Sequence, residues 1–371
     1  MKKYGFKYFI VLLPFLTGIF FELFVLPIDY FTFRHWETLV KKYTIGGFLK
    51  GPFYPNMTIV KTEEGGDLKA SPACAIRKKD LVWQTDAYGY RKAASTNRRY
   101  PIVIVGDSNT AGTGLYQDEM LSEVLEKRLG KNVYPLAPDS IKYVFKHGLL
   151  KQTKPEVIIL ANMERGIPAA NYTIRDNYDF KNLNPWDKII WSAILHPAVQ
   201  SVAIQIDRFL KANMLNFIKA RINSKTPPRT DETTGSSCPN LFLFGAQANK
   251  DIPDGIRKEA VRKIKHISDF FTGKGIRFIF LPIPNKENIY YRELKTPKPV
   301  FLEKLIGELR ALGVEVVDTQ KAFDEISSRT DIPLYPRDDT HWNAKGVEVA
   351  ASLIEKVLRT PSPHLTAKQG Q

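Results

Sequence analysis

Residues 102–115, IVIVGDSNTAGTGL, decide how this chain is read. Ile102–Val105 is a β-branched apolar run, as expected of a strand buried on both faces. Gly106 ends it, and the small polar residues and glycines that follow suit a turn. Neither strand nor turn accounts for Ser108 at the strand mouth with Asp107 beside it. A serine there is placed for nucleophilic attack, if the rest of the chain supplies a base, an orienting carboxylate and oxyanion donors.

Outward from this stretch the pattern alternates. Apolar runs at NVYPLA (132–137), EVIILAN (156–162), IRFIFLPI (276–283) and VEVVDT (314–319) predict four more strands. Amphipathic runs at 118–130, 140–153, 255–275, 299–313 and 344–360 predict helices between and after them. The expected fold is α/β, a three-layer doubly wound sheet of five parallel strands. Sites in such sheets lie at the carboxyl ends of the strands, where Ser108 falls. We divide the chain into an N-terminal apolar segment (1–28), a juxtamembrane extension (29–95), the α/β domain (96–359) and a flexible tail (360–371). Residues 29–95 read as irregular, extended chain and turns. A helical insertion (166–254) interrupts the α/β domain; its interspersed polar residues fit a packed subdomain better than a membrane-associated one.

The N-terminus opens with Lys2, Lys3 and Lys7 and is then almost wholly apolar from Tyr8 to Ile28. That length suits one membrane span, and the leading lysines orient it with the N-terminus in the cytoplasm. No small-x-small cleavage signal stands out, so a retained signal anchor in the cell (inner) membrane is expected, single-pass, with the catalytic domain extracytoplasmic or periplasmic. Glu22 is a carboxylate at the far end of the span, to be met by the interface or by a proton. The net charge of +15 favours an acidic partner such as anionic headgroups or an acidic polysaccharide. No nucleic-acid-binding signature is present, so no nucleic-acid partner is expected. Cys74 and Cys238 lack metal-ligand spacing; whether they pair is open. No cofactor or metal is expected.

Of six histidines, His341 alone lies in a polar loop after the last strand, in YPRDDTHWNAKG. Asp338 and Asp339 precede it by three and two residues, and either can hold its Nδ1–H while Nε2 faces Ser108. The same loop also suits a helix N-cap. Glu164 and Arg165 either pair or shape the site, and Arg91 is a candidate internal anchor. Asp107 reads as structural, bonding to its own turn.

These residues resemble the SGNH (GDSL-like) hydrolases and acyltransferases. GDSN (Gly106–Asn109) is similar to their nucleophile block and DDTHWNAKG to their terminal Asp/His block. The chain further resembles membrane-associated O-acetyltransferases of exopolysaccharide, alginate-type systems, through DTHW (339–342), NMERG (162–166), PIPNKENIYYREL (282–294) and TDAYGYR (85–91). The resemblance favours Asp339 over Asp338 as the triad acid. It implies Asn162 as an oxyanion donor, and the glycine of the family's second block has no counterpart in YPLAPDS. It implies a serine-dependent O-acetyltransferase acting on a polysaccharide, with a possible membrane-bound acyl-donor partner protein. A carbohydrate esterase or deacetylase of the same fold, and a non-catalytic glycan-binding subunit, are the alternatives.

Overall fold

The computed structural model describes residues 2–68, 78–93, 99–146, 154–180, 183–211, 213–223 and 251–361, with Gly148 and Leu150. Cys74, Cys238, most of the polar stretch 223–240 and nearly all of the tail lie outside the described residues. In chain order the elements are α1 (Lys2–Phe24), α2 (His35–Leu39), β1 (Thr58–Glu64), β2 (Lys78–Gln84), β3 (Ile102–Gly106), α3 (Leu121–Leu129), β4 (Val133–Leu136) and β5 (Val157–Met163). There follow α4 (Pro185–Ile194), α5 (Pro197–Lys211), α6 (Asn213–Asn223), α7 (Asp254–Gly273), β6 (Arg277–Ile283), α8 (Lys286–Ile289), α9 (Phe301–Ala311), β7 (Glu315–Val316), α10 (Thr319–Arg329) and α11 (Ala344–Arg359).

Strands β3 to β7 form one parallel sheet in the order β4-β3-β5-β6-β7, the doubly wound arrangement expected. Alternation along the strands sends successive side chains to opposite faces. Val103, Val105, Ile158, Leu160, Phe278 and Phe280 enter one core, which α7 and α9 cover. Ile102, Ile104, Ile159, Ala161, Ile279 and Leu281 enter the other, under α3, α10 and α11. Burial on both faces is why the centres of these strands, 102–105, 157–161 and 278–283, are apolar. The strand order reverses at β3, so Ser108 emerges at the switch point, where a crevice opens between the connections of a doubly wound sheet.

Three expectations need correction. Residues 29–95 are not simply irregular: β1 and β2 pair antiparallel, from Thr58 opposite Gln84 to Glu64 opposite Lys78. The apolar run of this hairpin is short, and its partner strand lies beyond a long connection, so periodicity alone does not expose it. The helix expected over 140–153 opens instead as a 3-10 turn at Ile141–Phe145, and Gly148 and Leu150 beyond it are helical. Glu22 is buried, and its carboxylate accepts the backbone N–H groups of Asn213 and Met214, 3.0 Å each, at the start of α6.

The extension and the insertion pack together. Leu39, Leu49, Phe53, Tyr54 and Trp83 share one cluster with Ala203 and Ile204 of α5. Helix α1 contains an 18-residue apolar window, Lys7–Phe24, of mean hydropathy 1.7 and only 6% buried, long and apolar enough to cross a bilayer.

Candidate active site

Two loops from opposite ends of the domain meet above β3. Asp107 accepts from the Asn109 N–H (2.9 Å) and the Met163 N–H (2.7 Å), tying the Ser108 turn to itself and to the end of β5. Gly106 is required there, since a Cβ would meet the Ala161 carbonyl at 2.7 Å and the Thr110 side chain more closely still. Asn109 joins the serine turn to the histidine loop. Its Oδ1 accepts the Trp342 backbone N–H, and its carbonyl accepts the Trp342 indole N–H. GDSN and DTHW thus interlock through Asn109 and Trp342, both buried.

The lock sets a hydrogen-bonded row. The Ser108 hydroxyl lies 2.8 Å from His341 Nε2, and His341 Nδ1 lies 2.6 Å from Asp339 Oδ1. With Nδ1 protonated and donating to the carboxylate, Nε2 is the acceptor that faces the serine. Burial alone would lower the His341 pKa, but the hydrogen bond and charge of Asp339 outweigh it and raise it above 6.5. Burial pushes Asp339 up, and its bonds to His341 more than reverse this, to about 2.

Of the two candidate carboxylates, Asp339 reaches the imidazole. Asp338 instead accepts the Gly66 N–H at 2.8 Å. That contact belongs to a strap from the tip of the β1–β2 hairpin, which sequence reasoning does not find. Leu68 N–H donates to the Asp338 carbonyl at 3.0 Å, and a Cβ on Gly66 would stand 2.0 Å from that same carbonyl oxygen, so only glycine allows the approach. Asp67 then accepts the Thr340 N–H (2.7 Å) and hydroxyl, and sits 3.8 Å from His341 Nδ1. Burial, followed by the Asp339 charge, raises the Asp67 pKa. The adjacent Gly65-Gly66 is the one signal in the sequence, but nothing local ties it to a loop more than 270 residues away.

Glu164 and Arg165 diverge. Glu164 is buried, accepts from the Asn285 N–H and the Asn288 amide, and is pushed up by burial to about 7. Arg165 donates to the Thr340 hydroxyl at 2.9 Å. Lys286 is fully buried, with Nζ donating to the Pro336 and Arg337 carbonyls at 2.7 Å, and burial lowers its pKa to about 8. These residues of NMERG and PIPNKEN therefore brace the histidine loop from beneath. Arg91 is buried against Trp83 and donates to the Gly112 and Leu115 carbonyls, holding the far side of the serine loop.

Asn162 lies at the end of β5, one residue beyond Ala161, which pairs with Gly106. Its Oδ1 accepts the Tyr172 hydroxyl at 3.1 Å, leaving the NH2 as the end that can donate. Both face a cavity of about 260 Å³ lined also by Gly106, Asp107 and Pro138–Ser140. After β4, the Asp139 N–H is spent on the Gly106 carbonyl and the Ser140 N–H on Asp139 Oδ1. Asp67, Asp339 and His341 bring donor atoms within 4.8 Å of one another, but a cation among them would displace the Nδ1–H bond that orients the imidazole.

The α/β order and this site are similar to those of the SGNH hydrolases. The family model described as SGNH hydrolase-like domain, acetyltransferase AlgX, matches residues 241–371, the part that carries the histidine loop, and relates the chain to that superfamily. A search of the curated proteins finds no match. Among solved structures, a Bacteroides fragilis protein described as an acylhydrolase is 11% identical, with 74% of this chain and 92% of that chain covered and a TM-score of 0.34. A carbohydrate esterase, its active site described as having divergent catalytic and non-catalytic binding functions, is also 11% identical, with 83% and 88% covered and a TM-score of 0.33. Neither bears on the chemistry.

Proposed function

We propose that the chain is an extracytoplasmic, serine-dependent O-acetyltransferase that modifies a cell-surface or secreted polysaccharide through an acyl-serine intermediate. The observation that carries this reading is the unbroken row Ser108–His341–Asp339 at the sheet's switch point. Ser108 Oγ attacks the acyl carbonyl of the donor as His341 Nε2 takes its proton, and Asp339 stabilises the imidazolium. The oxyanion is met by the Ser108 N–H, helped by the Asn162 NH2. His341 returns the proton to the leaving group, which departs as the acyl-serine forms. A sugar hydroxyl then gives its proton to His341 and attacks that ester, and collapse restores Ser108 and releases the O-acetyl sugar.

The match to an acetyltransferase family over 241–371 supports transfer as the outcome. The net charge of +15 suits an acidic glycan. The lysines at the N-terminal end of α1 and its exposed apolar surface support a single-pass anchor with the α/β domain outside the cytoplasm. A membrane-bound partner that delivers acyl groups follows from that topology.

The test incubates full-length protein with a chromogenic acetyl ester, with and without an oligosaccharide acceptor, and follows products by mass. Acetyl on the sugar, lost by roughly 10⁴-fold or more in Ser108→Ala, is the expected result. Free acetate alone with every acceptor would make the chain an esterase. Turnover indifferent to Ser108 would end the catalytic reading.

A further inference from the structure

Helix α5 is built inside out for a helix in water. Its inner stripe carries Gln200, Asp207 and Arg208 beside Ala203 and Ile204, all buried. Asp207 is fully buried and accepts the Lys42 and Tyr43 N–H groups and the Tyr54 hydroxyl, at 2.7–2.9 Å for the closest contact of each. Gln200 bonds Asn56 and the Ala87 carbonyl. The opposite stripe is Val202, Ile206, Phe209 and Leu210, each 43–61% exposed. The polar residues that interrupt this helix in sequence therefore turn inward, and what faces out is apolar. Trp186 and Ile189 on α4, and Ile218 and Ile222 on α6, extend the exposed apolar face.

This face is continuous with α1. Gly18 stands so close to the Met214 side chain that a Cβ would lie 2.7 Å from it. Glu22 caps the first turn of α6, and Arg208 donates to the Glu22 carbonyl at 2.7 Å. From Gly18 to Phe24, α1 advances about 9 Å along its axis. A span formed by α1 therefore carries the start of α6 below the end of that span. That depth matches the 5–10 Å or so at which interfacial amphipathic helices rest.

We propose that α4–α6 are seated in the boundary of the bilayer that α1 crosses, with Val202, Ile206 and Phe209 among the acyl chains and Asp207 and Arg208 turned to the protein. The proposal rests on the reading of α1 as a span. Lipid solvates the outer stripe that water does not, and the buried polar stripe keeps its partners in the extension. The seat also fixes the site relative to the membrane, since the extension it grips is the one that sends Gly66 and Asp67 to the histidine loop.

The experiment uses the full chain in vesicles of phosphatidylethanolamine and phosphatidylglycerol, with the photo-crosslinker p-benzoylphenylalanine replacing one residue at a time. The positions are Ile206, Phe209, Leu13 of α1 and the exposed Ser328 of α10, with Val202 as a second outer-stripe position, and thermal melts confirm folding. Adducts with lipid at Leu13, Ile206 and Phe209, at least 10-fold above Ser328, are expected. Lipid adducts at Leu13 alone would leave the span standing and overturn the seat. Adducts at none of them would overturn the span and the seat together. Crosslinks from Ile206 or Phe209 to a second copy would assign the face to self-association instead.

Discussion

Helix α11 of the α/β domain and helix α5 of the insertion are nearly equal in length, 16 and 15 residues, and bury opposite kinds of side chain. The inner stripe of α11 is Gly346, Val347, Ala350, Ala351 and Ile354, against the sheet. Its charged residues face out, where Glu348 and Glu355 pair with Arg128. The inner stripe of α5 is half polar, and its outer stripe is aliphatic and aromatic. Periodicity shows that each helix has two faces. It does not show which face is turned to protein, because that depends on what solvates the other one.

The comparison implies a division of labour that substitutions can break. The largest effect belongs to the α/β side. Asp339→Asn should lower kcat by about 10⁴-fold by losing the tautomer that faces Nε2 to Ser108, with membrane association unchanged. Vesicle flotation alongside the acetyl-transfer assay checks this, and loss of flotation would dissolve the division.

Next is Asp207→Ala, the same comparison seen from the insertion. It strands the Tyr54 hydroxyl and two backbone N–H groups and should destabilise by about 4 kcal/mol. The matched apolar change on α11, Ile354→Ala, should cost about 3 kcal/mol. Equilibrium denaturation of both variants decides whether a polar interior holds the insertion as firmly as an apolar one holds the sheet. A near-neutral Asp207→Ala would say that it does not.

Asp67→Ala sharpens the comparison at a point where the extension touches the site. It should reduce kcat by about 10-fold through a looser Thr340–His341 loop. It should also shift the pH profile, with a definite sign. Catalysis needs neutral His341, so activity falls as pH drops through its pKa, which Asp67 helps to raise. Removing Asp67 lowers that pKa and moves the acid limb of kcat/KM to lower pH. An unmoved limb would make Asp67 a purely structural strut. The smallest effect is Ile206→Ala, expected within about 0.5 kcal/mol of wild type in stability, since the face it leaves is not packed on protein. A cost near that of Ile354→Ala would mean that α5 is covered by protein after all.

Much of the α/β domain is legible in the amino-acid sequence. Continuous apolar runs occur where both faces of a sheet are buried, so β3 and the centres of β5 and β6 announce themselves. Ser108 stands out because it follows a strand directly, and His341 because its polar loop, reached through α10, comes after the last strand. The Asp107–Asn109 contact within the serine turn is also legible, being local.

Long-range pairing decided the rest. Asp338 and Asp339 are adjacent carboxylates in one loop, and only the strap from Gly66 shows that Asp338 is spent on a backbone N–H while Asp339 is left for the imidazole. Asp67, Lys286 and Glu164 carry no local signature of their role, because their partners lie 50 to 273 residues away. The amino-acid sequence by itself determined the period of each element and the chemistry at the strand ends, since both follow from neighbouring residues. The tertiary structure alone decided which carboxylate serves the histidine and which face of α5 is inside, since each depends on contacts between segments that no local pattern joins.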